Sequence, residues 1–211
     1  MRRLAVQALA LCMFAVPPLP AAAAPAAVSA CAGCHGPDGR GNAAAGAPNI
    51  GGMDAWYVER QLRNFISGAR GADARDTYGS RMRAAVVSLV SPEQARAVAE
   101  QVAAWPRSAA GTAAKADLTN GRNYYNAICS ACHNSNGLGT AALGAPRLAG
   151  IDPDYLLRQL AAYRSGMRGA QAGDTAGAAM RRMATALPNA VTDRDVIAFI
   201  ATLPLAPAAS H

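Results

Sequence analysis

Cys31-Ala-Gly-Cys34-His35 and Cys129-Ser-Ala-Cys132-His133 are the stretches whose reading decides this fold. Their first cysteines stand 98 positions apart (129 less 31), and the same offset carries the correspondence onward without a gap. Gly46-Ala47-Pro48 returns as Gly144-Ala145-Pro146, Arg60-Gln61-Leu62 as Arg158-Gln159-Leu160, Arg70-Gly71-Ala72 as Arg168-Gly169-Ala170, and Asp76-Thr77 as Asp174-Thr175. A repeat of this kind fixes domain number before any secondary structure is assigned. The 211 residues read as two copies of one small domain, 25–106 and 117–211, joined by an Ala-, Gly-, Ser- and Thr-rich linker over 107–116.

Each copy carries helix signals and weak strand signals. Asp152-Pro153 places an N-cap before proline at a first helical position, with Leu156, Leu160 and Tyr163 recurring on one face. Asp54 opens the twin helix with Val58, Leu62 and Phe65. Ser91-Pro92-Glu93-Gln94 reads as a further start with Gln94 set for a capping box, and Leu118 to Ile128 leads by a helix into the second cysteine motif. The expected class is all-α with long Gly- and Pro-rich loops. Aromatic residues are only 5% of the chain, so two domains this small would have thin cores unless a large apolar group fills them.

Two thiols at Cys-x-x-Cys spacing can each form a thioether to one haem, while the adjacent imidazole reaches the iron. Two such motifs point to two covalent c-type haems, through Cys31 and Cys34 and through Cys129 and Cys132, with His35 and His133 on the irons. A single four-sulfur zinc site is disfavoured by the long separation of the pairs, and a disulfide has no use for the histidines. The chain has three histidines and the third, His211, is its last residue, so two bis-histidine sites are impossible. Methionine is the natural second ligand. Met82 follows His35 by 47 positions and Met180 follows His133 by 47, whereas Met53, Met167 and Met183 have no methionine twins. Met82 and Met180 are the expected ligands, with Met183, one helical turn on, as the alternative at the second iron. Pro48 and Pro146, each 13 residues beyond its histidine, can offer a backbone carbonyl to the imidazole Nδ1–H. Tyr57, Arg60, Gln61 and Arg70, with Tyr155, Arg158, Gln159 and Arg168, are candidates for haem propionates or ordinary helix surface.

Residues 1–24 read as a secretory signal: Arg2 and Arg3, an apolar run from Leu4 to Val16, then prolines and alanines. That run is too short to span a bilayer comfortably, and export places the chain in the periplasm. The formal charge of +7 falls to +5 without Arg2 and Arg3. Its arginines are scattered, without the basic run interleaved with aromatics that binds nucleic acid, so a redox-protein partner with an acidic face is the expectation.

These residues together resemble the class I cytochromes c, specifically the two-haem cytochrome c4 family. The resemblance rests on the doubled motif, the Pro turn, the Tyr-x-x-x-Gln-Leu helices running to Gly-x-Arg (Tyr57 to Arg70, Tyr155 to Arg168), and a methionine seven residues before leucine (Met82 to Leu89, Met180 to Leu187). It implies two tandem class I domains, each wrapped around one haem. Methionine is the distal ligand, and members are periplasmic, sometimes membrane-attached. It also implies electron carriage to a terminal oxidase rather than catalysis; a related role is the cytochrome subunit of a periplasmic sulfide or alcohol dehydrogenase. Intrinsic catalysis is disfavoured, because no spare histidine stands near either motif. A family domain begins with a helix ahead of its motif, and the first copy has little chain for one.

Overall fold

The computed structural model describes residues 26–109 and 111–205. The signal reading over 1–24 and His211 lie outside them. In the first half α1 (Ala26–His35), α2 (Ala55–Ser67), α3 (Thr77–Leu89) and α4 (Ala95–Ala104) follow one another; in the second come α5 (Leu118–Tyr124), α6 (Ser130–His133), α7 (Pro153–Arg164), α8 (Thr175–Ala186) and α9 (Ala190–Ala201). Among the described residues there is no strand, only the bridges Asn42 to Ala47 and Thr140 to Ala145, themselves 98 positions apart. No described helix is long and apolar enough to cross a membrane.

Local chemistry explains the starts. Asp152 accepts from the Tyr155 N–H at 2.7 Å with Pro153 in the first turn, whereas Asp54 stands at the cap without a side-chain bond. Asp76 and Asp174 cap α3 and α8 through the Gly79 and Gly177 N–H groups. Gln94 does reach back to the Ser91 N–H, at 3.0 Å, but α4 itself begins one turn later, at Ala95. The expected continuous helix from Leu118 is interrupted by a π turn over Tyr125–Cys129, where Tyr125, fully buried, donates from its hydroxyl to the Asn134 carbonyl.

The expected faces are the buried ones. Leu156, Leu160 and Tyr163 line one core and Leu62, Phe65 and Val98 the other. Met53 and Tyr57 of the first half belong to the second half's core cluster, so the packing is continuous across the boundary.

The halves differ at their entrances. Helix α5 crosses α9 where Gly121 meets the Asp195 backbone; a Cβ there would come within 2.0 Å of the Asp195 oxygen. The Asp195 carboxylate accepts from the Asp117 N–H and the Asn120 side chain, at 3.0 and 2.8 Å. The position matching Asp195 in the first half is Ala97, which has no carboxylate to accept such bonds.

Interdomain bonds come in pairs related by the repeat. Arg60 donates to the Gly144 carbonyl (2.8 Å) and Arg158 to that of Gly46 (3.0 Å). Asn49 donates to the Gly150 carbonyl (2.6 Å), and its twin Arg147 to that of Gly52 (3.3 Å). Reciprocity of this kind, residue i to j and twin j to i, is the mark of an isologous two-fold interface, here within one chain.

Candidate cofactor clefts

Each half holds one apolar cleft, about 1400 Å³ in the first and about 1140 Å³ in the second, measured out to the open mouth. The first is lined by Cys31, Cys34, His35, Met53 and Met82, the second by Cys129, Cys132, His133, Met180 and Met183. The two cysteine pairs thus lie in separate clefts and share no common four-sulfur site. None of the four cysteines is in a disulfide.

His35 Nδ1 lies 2.8 Å from the Pro48 carbonyl and His133 Nδ1 2.8 Å from that of Pro146. A carbonyl only accepts, so Nδ1 carries the proton and Nε2 keeps its lone pair for a metal. Both imidazoles are buried, and burial pushes them below the ordinary histidine range against the opposing pull of the carbonyl bond.

Burial, with a smaller contribution from Cys132, pushes the Cys129 thiol up to about 11, and burial raises Cys31 as well. Redox-active Cys-x-x-Cys pairs work through a lowered thiol, the opposite of this environment.

The Pro turns are held by close glycines. Gly139 has φ +78°, and a Cβ there would lie 2.5 Å from the Ala145 oxygen and the Pro146 carbonyl carbon. Gly139→Ala is expected to cost at least about 2 kcal/mol, combining left-handed strain of roughly 1–2 kcal/mol with displacement of the loop that holds His133. Urea unfolding of the holoprotein measures this, and an unchanged midpoint would refute it.

The clefts meet. Tyr57, Gln61, Tyr155 and Gln159 line both, so one layer of side chains separates them. Within that layer Arg70 donates to Gln61 Oε1 (3.0 Å), Gln159 Oε1 (3.0 Å) and the Tyr155 hydroxyl (3.0 Å). Arg168 donates to Gln159 Oε1 (2.7 Å), Gln61 Oε1 (2.7 Å) and the Tyr57 hydroxyl (3.3 Å). Two buried guanidiniums thus share two amide oxygens, with no carboxylate among these partners. Desolvation alone would raise the Tyr155 phenol, yet Arg70 and Arg168 carry it below the tyrosine range. Arg70 Nε, buried, has no hydrogen-bond partner. The layer is built to neutralise anionic groups, and haem propionates fit that chemistry, as the apolar walls fit the macrocycle and the histidine Nε2 an iron.

Where the sequence left propionate ligands and plain helix surface equally open, the structure brings Tyr57, Gln61 and Arg70 together with Tyr155, Gln159 and Arg168. Arg60 and Arg158 instead span the domains. Leu187 is buried, while its twin Leu89 is 40% exposed, so the seven-residue spacing from methionine is not used alike in the two halves.

A Cytochrome c family model matches residues 21–103 and again 118–204. The thiosulfate dehydrogenase electron acceptor of Thiomonas intermedia (strain K12) is 30% identical, over 100% of this chain and 95% of the relative. That of Stutzerimonas stutzeri (strain A1501) is 35% identical over 75% of this chain and 74% of its own length. Among solved structures, cytochrome c4 of Acidithiobacillus ferrooxidans superposes with a TM-score of 0.68 at 26% identity, covering 83% of this chain and 99% of that one.

Proposed function

Because the chain belongs to the cytochrome c family, with one domain of that fold in each half, we propose that it takes up electrons singly, on two haems, from a periplasmic thiosulfate-oxidising dehydrogenase. Haem supplies the one-electron step when bound; this chain attaches, orients and insulates it. Cys31 and Cys34 hold one haem and Cys129 and Cys132 the other. His35 and His133 ligate through Nε2, oriented by the Pro48 and Pro146 carbonyls, and Met82 and Met180 complete the irons. Thioether ligation favours the reduced state, which suits an acceptor. Arg70 and Arg168 neutralise the propionates at the shared wall. The domains are 25–106 and 117–211 with the linker between, and the leader over 1–24 directs export.

One observation carries the reading above all: the two clefts share a wall of four side chains, so electrons entering at one haem can pass to the other within the chain. Substrate oxidations release electrons in pairs, and two haems accept both. The partner is drawn from the two relatives that accept electrons from thiosulfate dehydrogenase. A second reading, delivery to a terminal oxidase, draws on the likeness to cytochrome c4.

The test mixes oxidised, fully matured protein with a purified thiosulfate dehydrogenase and thiosulfate. Rapid reduction of both haems, absent when either component is omitted, is expected. No reduction, together with rapid oxidation of the reduced protein by oxidase-containing membranes, would favour the second reading instead.

A further inference from the structure

We propose that Met183 is a reserve axial ligand for the iron of the second domain, taking its sixth position when Met180 is withdrawn, and that the first domain has no such reserve. This rests on the ligand reading above. Met183 lines the same cleft as His133 and Met180, one turn further along α8. The matching residue of the first domain, Ala85, lines its cleft beside Met82 and offers no donor, and the other methionine of that cleft, Met53, is buried in the core cluster with Tyr57 and Ile151.

Side chains three apart on a helix have Cβ atoms about 5–6 Å from one another. Both methionines are unbranched and flexible, so their sulfurs can be brought to one point without moving the backbone. The backbone is pinned in any case: Asp174 caps α8 through the Gly177 N–H at 2.9 Å, and Ala184 and Leu187 are buried in the core. Met183 itself is 40% exposed and so is not committed to that core.

The other donors of the cleft are occupied or unsuited. The Cys129 and Cys132 sulfurs are consumed by attachment. The Tyr57 and Tyr155 hydroxyls are held by Arg168 and Arg70. Tyr163 ligates only as a phenolate, and burial pushes its phenol up to about 12. No lysine and no second histidine lines the cleft. The exchange swaps one iron–thioether bond for another, with no change of charge or oxidation state.

The test uses exported holoprotein with Met82→Leu, Met180→Leu, Met183→Leu and the double Met180→Leu/Met183→Leu, each shown by mass to carry two haems. The readout is the near-infrared methionine-to-iron band of the oxidised protein, with spin state by electron paramagnetic resonance. Met180→Leu is expected to keep the full band and Met183→Leu to leave it unchanged, while the double variant and Met82→Leu each halve it and show one high-spin iron. A halved band in Met180→Leu, equal to the double, would overturn the reserve. A halved band in Met183→Leu alone would overturn the assignment of Met180, and the proposal with it. A full band in Met82→Leu would overturn the claimed asymmetry. Should Met180→Leu fail to mature, Met180→Ala, which leaves Met183 more room, takes its place with the same outcomes.

Discussion

Replacing Cys129 and Cys132 together by serine is expected to leave a chain with one covalent haem whose second half no longer folds cooperatively. The cleft it would empty is lined by Leu156, Leu160, Val196, Ile197 and Ile200, the residues that α7 and α9 bring together as the core. Few aromatic side chains are available to collapse into the space. A cavity left by one leucine side chain in a core already costs about 3–5 kcal/mol, against a total stability of about 5–15 kcal/mol, and the vacated cleft is lined by many such side chains. Intact mass should show a single haem, and far-ultraviolet circular dichroism should lose roughly half its helical signal. A variant with one haem and full helicity would mean that the core closes without its cofactor.

The second large effect belongs to Arg168→Met. Geometry alone suggests little damage to the polar ring, because Gln61 and Gln159 each keep a bond from Arg70. Each glutamine oxygen loses one of its two arginine bonds, and the Tyr57 hydroxyl loses its bond from Arg168. The cost would arise from the propionate that Arg168 is proposed to neutralise: an uncompensated buried charge is worth about 3–5 kcal/mol. Removing a positive charge beside a haem also favours its oxidised form, so a reduction potential should fall. Equilibrium unfolding and a potentiometric titration check both, and Arg70→Met should behave alike because the bonds are twinned. The two changes share acceptors, so their effects should not add. Unchanged stability and potentials would remove the propionates from this wall.

Much of this was legible from the repeat. An offset of 98 paired the motifs, the Pro turns and the expected methionines, and the cap at Asp152 followed from residue type. The shared wall was not. Tyr57, Gln61 and Arg70 recur faithfully with their twins, but a linear pattern does not say that Arg70 bonds to Gln159 rather than to solvent. Only the two-fold docking brings them within 3.0 Å. Asn49 and Arg147 were hidden for another reason: different residues at twin positions make the same crossing to a glycine carbonyl, so similarity could not flag them. The π turn around Tyr125 depends on tertiary packing that helix periodicity does not encode.

The most direct measurement is near-infrared magnetic circular dichroism of the oxidised, exported protein, normalised to its haem content. The account predicts a methionine-to-iron band at full intensity for two low-spin irons per chain. A high-spin signal at either iron, or a band worth a single haem, would contradict the two-site histidine and methionine carrier.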